Sequence, residues 1–199
     1  APFVKEVLQP QEIRDILDFC ETIPGINLIL CGRDAVYYEP PHPFGEHAPS
    51  SDSTDSLYKM VEVPDLRALD VDIFRVGIHD PKNPLYHSYP LLREHFGETY
   101  GILVTDDESV DLMKPGIDKG TGLMALQQAL GVTPEETMVF GDYLNDIGML
   151  KRAYYSYAME NALDEVKAQC RFLARSNQEE GVLAAIEEYL ASLPEGPDR

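Results

Sequence analysis

The densest chemistry in the chain lies in Met138-Val139-Phe140-Gly141-Asp142-Tyr143-Leu144-Asn145-Asp146. An apolar run enters a glycine, and two carboxylates and a carboxamide follow at the opening of a helix. In an open α/β sheet, ligands bind beyond the carboxyl ends of the strands, where Asp142 sits; Asp146, one helical turn on, can face the same cavity. Oxygen donors of this kind suit Mg²⁺, which takes a few carboxylates and keeps water or phosphate as its other ligands. The helix N-terminus adds backbone N–H groups for an anion. The same residues have a plainer reading, in which Asp142 and Asn145 only cap the helix and Asp146 sits in its first turn. Lys119 shifts the balance. It opens another helix directly after Pro115-Gly116-Ile117-Asp118, at the dipole end that disfavours a cation. A cation there can neutralise a phosphate and an attacking carboxylate together, as phosphoryl transfer requires.

Strands and helices in alternation must hold these groups in place. Residues 10–22 predict an amphipathic helix, with Ile13, Ile16, Leu17 and Cys20 on one face and Pro24-Gly25 as its stop. Strands are expected at 26–31, 35–38, 72–79, 100–104 and 109–113, with a helix near 85–96. The Pro-, His-, Ser- and Asp-rich stretch 39–56 reads as a long surface loop. A second domain, 114–199, follows the first, 1–113. It opens with a helix over 119–130 that carries Leu123, Leu126 and Leu130 on one face and Gly131 as its stop. Beyond it come a strand at 137–140, a helix at 145–153, a strand at 156–159 and a helix from Asn161 to Cys170. A short strand at 172–174 precedes a last helix, 181–193, expected to bury Val182, Ile186, Tyr189, Leu190 and Leu193. The alternation argues for an α/β fold on a parallel sheet throughout.

Composition removes several function classes. With 16 basic against 35 acidic residues the formal charge is −19, and both domains are acidic. No basic footprint is present for nucleic acid or for an anionic membrane, and no apolar run approaches the ~20 residues of a membrane span. The three cysteines, Cys20, Cys31 and Cys170, are odd in number and widely spaced, which suits a reducing cytoplasm better than a disulfide scaffold. Nothing in the pattern sets an oligomeric state. Weaker signals are His42 and His47 with Asp52 and Asp55, whose spacing fits no familiar metal pattern, and Arg33, Asp34 and His79 near strand ends.

Four motifs in order resemble one family. They are Lys119-Gly120; Gly141-Asp142-x-x-Asn145-Asp146 with Gly148-Met149-Leu150; Ala158-Met159-Glu160-Asn161-Ala162; and Asn177-x-x-x-Gly181-Val182. Over about 112–193 the sequence is similar to the closing third of Cof-type phosphatases of the haloacid dehalogenase-like superfamily. Residues 1–111 resemble that family's inserted α/β cap in length and element order. The resemblance implies a partial Rossmann-like core with a cap, and a Mg²⁺-dependent phosphomonoesterase that works through an aspartyl-phosphate on small molecules such as sugar phosphates. It implies that Asp142 ligates the metal, Asp146 is the second acid supporting it, and Asn145 sits beside metal and phosphate. Lys119 would balance charge on the nucleophile and the phosphoryl group, and Asn177 would lie near the site in a supporting, substrate-side role.

One departure matters. The family's Asp-x-Asp-x-Thr nucleophile motif is absent; Asp70-Val71-Asp72 is the only Asp-x-Asp, and Phe74 stands where the threonine should be. The expectation is that the chain begins just before the cap and does not by itself turn over phosphate esters. A non-catalytic family member that binds metal or phosphate, and a sugar-phosphate mutase on the same scaffold, are the alternatives.

Overall fold

The computed structural model describes residues 6–42 and 59–193. His47, Asp52 and Asp55 lie outside them. The chain divides into two compact units, one ending at Ile117 and one starting at Asp118.

The first unit contains α1 (Pro10–Cys20), β1 (Asn27–Gly32), β2 (Val36–Tyr38), β3 (Met60–Glu62), β4 (Ile73–His79), α2 (Ser88–Phe96), β5 (Gly101–Asp106) and β6 (Ser109–Met113). Its six strands lie in the order β3-β2-β1-β4-β6-β5. Only β2 and β3 are parallel; every other pair is antiparallel. The expectation of a parallel sheet throughout therefore fails here. The links Arg33–Ala35 and Asp107–Glu108 are long enough for a hairpin and too short for a crossover. β4 and β5 both run against β6, which lies between them, so α2 is the crossover of a split βαβ unit.

Strand alternation sorts the side chains of this sheet. The cross-strand row Leu30, Val76, Leu112 and Ile102 is buried. It joins Ile16 and Leu17 of α1 and Leu92 of α2 in the core. The helices meet through Phe19 and Phe96, whose rings are edge-on at 5.2 Å. The next row along, Ile29, Gly77, Asp111 and Leu103, points the other way.

At the end of β4 a carboxylate organises the turn into α2. Asp80 is fully buried. It accepts hydrogen bonds from the Lys82 N–H at 3.1 Å and the Ser88 N–H at 3.0 Å, and His87 Nδ1 lies 2.9 Å away. Burial pushes its carboxyl up, but the hydrogen bonds from Ser88, His87 and Lys82 outweigh burial, so its pKa falls below the ordinary value. A carboxyl depressed by folding stabilises above its unfolded pKa of ~3.9, and that contribution is lost as pH falls through the lower folded value. Urea midpoints of the wild-type chain should thus drop below about pH 4, while Asp80→Ala, which strands buried N–H groups, should cost about 2–3 kcal/mol at neutral pH and flatten that acid limb.

The second unit contains α3 (Lys119–Leu130), β7 (Met138–Gly141), α4 (Ile147–Leu150), β8 (Tyr155–Met159), α5 (Asp164–Lys167), β9 (Phe172–Ala174) and α6 (Gly181–Ser192). Its sheet is parallel, in the order β7-β8-β9. Phe140, Tyr157 and Phe172 are register neighbours across the three strands. Their rings stack at 5.0 Å for each step, and Tyr155 meets Tyr189 of α6 edge-on at 4.7 Å. On α3, the Gln127 Nε2 donates to Thr137 Oγ1 and to the Arg152 carbonyl, both at 3.0 Å.

Several burial expectations fail in this unit. Leu126 and Leu130 of α3 are exposed, as are Val182, Leu183 and Leu190 of α6 and Leu193 beyond it; the helices bury Gly120, Gln127, Gly181 and Ala185 instead. Five of the nine buried core residues are alanine, and larger side chains such as Leu123, Phe140, Leu144 and Ile147 pack against them half-buried. The expected helices at 145–153 and 161–170 shorten to α4 and α5.

Candidate active site

Each parallel strand of the second unit delivers a polar residue at its carboxyl end. Asp142 follows β7, Asn161 lies two residues beyond β8, and Asn177 three residues beyond β9. Asn161 links the other two. Its Nδ2 donates to Asp142 Oδ2, and its Oδ1 accepts from the Asn177 N–H, both at 3.3 Å. In the sequence Asn161 opens the expected 161–170 helix, where it can cap, and stands within the Ala158–Ala162 motif. Its position just past β8, the strand that pairs with β7, is what brings it beside Asp142.

Asp146 is the hub. It is 4% exposed and both of its oxygens are engaged by the protein. Oδ1 accepts from Lys119 Nζ at 2.5 Å, while Oδ2 accepts from the Asp142 N–H at 3.0 Å and the Tyr143 N–H at 3.3 Å. The carboxylate thus ties the first residue of α3 to the turn after β7.

Two close approaches make that geometry possible. A Cβ on Gly141 would stand 2.6 Å from Asp146 Cβ, so only glycine leaves room for the carboxylate to fold back under the strand end. A Cβ on Gly120 would stand 2.4 Å from the Gly148 carbonyl oxygen. The bare backbone at 120 lets α3 lie directly on α4, which carries Lys119 within reach of Asp146. Asp118 closes the start of α3, accepting from the Thr121 N–H at 2.7 Å.

The donor set fits a hard cation. Asn145 Oδ1 is buried and has no hydrogen-bond partner, an acceptor whose desolvation is unrepaid by the protein. It lies three residues from the half-buried carboxylate of Asp142, and carbonyl and carboxylate oxygens are the ligands Mg²⁺ prefers. Among the described residues no three His, Cys, Asp or Glu side chains converge as a metal-binding group.

The other candidates lie elsewhere. Asp70-Val71-Asp72 is exposed immediately before β4 in the first unit. Arg33 and Asp34 form a solvent-exposed pair at 3.9 Å. His42 packs its ring 4.6 Å from that of Tyr38. Cys20 and Cys31 are buried free thiols, and burial pushes Cys20 up to about 12. Among the described residues no helix is long and apolar enough to cross a membrane.

An α/β unit with lysine, two acids and asparagines at its strand ends defines a class, and comparison with known proteins agrees. The family model for haloacid dehalogenase-like hydrolases matches residues 2–186, and the chain belongs to that family. It is 31% identical over 175 residues to the 5-amino-6-(5-phospho-D-ribitylamino)uracil phosphatase YbjI of Escherichia coli, covering 88% of this chain and 64% of that protein. It is 27% identical over 186 residues to the phosphatase of the same name, YitU, of Bacillus subtilis, covering 90% of this chain and 66% of that one. The chain therefore spans just under two thirds of the length of these relatives. Among solved structures, SMU.1108c of Streptococcus mutans superposes with a TM-score of 0.76 at 28% identity, covering 94% of this chain and 70% of that one. The subclass IIB sugar phosphatase BT4131 shares the fold, with a TM-score of 0.74 at 21% identity and coverage of 94% and 69%.

Proposed function

We infer that the complete protein is a Mg²⁺-dependent phosphomonoester hydrolase acting on a phosphorylated small molecule, with the first unit as its cap and the second as part of its core. The observation that carries this reading is the division of labour at Asp146. That carboxylate is wholly taken up by Lys119 and the 142–143 backbone, which leaves the oxygens of Asp142 and Asn145 for an ion. Bound there, Mg²⁺ would draw charge from the phosphoryl oxygens. Lys119, held in place by Asp146, puts a positive charge where a phosphoryl group and an incoming carboxylate both need it. Asn161 fixes the orientation of Asp142, and Asn177 lies beside it on the substrate side. The names of the relatives point to a phosphorylated ribityl compound as the first ester to try.

The reaction also needs a nucleophile, and no Asp-x-Asp-x-Thr motif occurs in this sequence. The chain alone is therefore expected to bind and not to turn over. Titrating the 199-residue chain with Mg²⁺ should shift the amide NMR signals of Gly141 to Asp146, and Asp142→Asn should abolish the response. Assays with ribose 5-phosphate and with 5-amino-6-(5-phospho-D-ribitylamino)uracil should release no phosphate. Robust turnover by this chain that Asp142→Ala removes would overturn the requirement for an added nucleophile, and no Mg²⁺ response at Asp142 would overturn the metal assignment.

A further inference from the structure

On the sheet face that α1 and α2 cover, the first unit opens a cavity of about 160 Å³. Leu17 of α1, Leu28 of β1 and Leu66 form its apolar side, and Glu21, Glu39 and Arg67 its polar side. The strand register accounts for the mixture. Leu28 pairs with Ile78, which is buried on the helix side of the sheet. Glu39 comes one step after the Tyr38–Ile29 pair, which sets it opposite Leu28. Leu17 and Leu66 are themselves buried, so a carboxylate stands beside a wall of packed leucines.

The charges of the lining are unequally matched. Arg67 is held by two acids. Its Nε and Nη2 donate to Asp18 Oδ1 at 3.1 and 2.8 Å, and Nη2 reaches Glu21 Oε1 at 2.7 Å. No part of that guanidinium is bonded to Glu39, whose Oε1 accepts from the Leu66 N–H at 2.6 Å. Among the described residues nothing engages the Oε2 atoms of Glu21 and Glu39. A carboxylate offers about four acceptor positions, so both acids keep capacity for a further donor.

We propose that this cavity binds a linear aliphatic diamine, with one ammonium on Glu39, the carbon chain along Leu17, Leu28 and Leu66, and the second ammonium on Glu21. The volume holds roughly five water-sized groups at ~30 Å³ each, which a four-carbon chain and one ammonium fill. The second ammonium lies at the mouth, where the Glu21 side chain is 60% exposed, and adds the smaller share of the affinity. The lining excludes other chemistries. An anion would meet two carboxylates, and a neutral apolar molecule would cover Glu39 Oε2 without giving it a donor. A hydrated metal ion would set its water shell against three leucines. A lysine side chain from another protein brings one ammonium and leaves Glu21 unanswered. The site stands apart from the phosphomonoesterase reading and does not rest on it.

The test is a titration of the full chain with 1,4-diaminobutane, followed by amide NMR. Saturable shifts are expected at Leu28, Glu39, Leu66 and Arg67. Glu39→Gln keeps an amide oxygen for the Leu66 N–H and should weaken binding tenfold or more, the loss expected for a charge-assisted hydrogen bond. Two comparisons need no variant. 1-Aminobutane should bind the unaltered chain about threefold more weakly than the diamine, and 1-butanol, with the same stem and no charge, at least tenfold more weakly. The absence of saturable shifts at those residues, equal affinity in Glu39→Gln, or 1-butanol binding as tightly as the diamine would overturn the proposal. Ammonium chloride or Mg²⁺ giving the same shifts at the same concentration would overturn it too, reducing the site to a patch that attracts any cation. Tighter binding of a blocked lysine than of the diamine would hand the cavity to a partner protein's side chain and overturn the free-amine assignment.

Discussion

Asp146→Ala should lower the stability of the second unit by about 3 kcal/mol, whereas Asp142→Asn, four residues away, should change it by less than ~0.5 kcal/mol. The two acids differ in what they hold. Asp146 is 4% exposed and accepts from one ammonium and two backbone N–H groups. Its loss strands the Asp142 and Tyr143 amides and frees Lys119. The lysine side chain is half exposed and recovers water, so the larger part of the penalty lies in the two amides. Asp142, by contrast, accepts one long side-chain hydrogen bond, from Asn161 at 3.3 Å, which an asparagine oxygen can take over. Urea unfolding of the two variants, followed by far-ultraviolet circular dichroism, checks the contrast. Equal stability losses would mean that both acids are structural and would remove the basis for assigning Asp142 to a ligand.

Gly120→Ala should destabilise the same unit by about 2–3 kcal/mol and release Lys119 from Asp146. The new Cβ would stand 2.4 Å from a backbone oxygen at Gly148 and 2.5 Å from its carbonyl carbon. Backbone cannot swing aside like a side chain, so α3 must lift from α4. Alanine's better helix propensity returns up to ~1 kcal/mol, which the overlap exceeds. Gly122→Ala is the matched comparison, because nothing lies within 4 Å of the added Cβ there; it should be neutral or mildly stabilising. A pair of melting curves in which both variants behave alike would show that α3 does not seat on α4.

Much of the site was legible in the residues because its chemistry is local. An apolar run ending in Gly141-Asp142 marks a strand end, and Lys119 at a helix start conflicts with the dipole strongly enough to need a partner. Asn161 was ambiguous because an asparagine after a strand serves equally well as a cap; only its pairing with both Asp142 and Asn177 distinguishes the roles. The antiparallel first sheet was hidden because alternation marks a strand but not the direction of its neighbour. β3 has three residues, too few to carry a period. Amphipathic spacing groups Leu126 with Leu130 and Val182 with Leu190 and Leu193, yet spacing says nothing about whether a face is covered, and these five residues are exposed. Arg67 and Asp18 are 49 residues apart, and only the fold joins them.

The sheet of the second unit leaves one flank of β7 unpaired among the described residues, and β7 is the strand that Asp142 follows. Strands in a sheet lie ~4.8 Å apart. A strand zipped onto that flank in parallel would bring its own carboxyl end to the brink of Asp142 and Lys119 without any further guidance. Backbone pairing would then act as an alignment rail: the register that closes the sheet would also set the aim of whatever side chain follows the incoming strand.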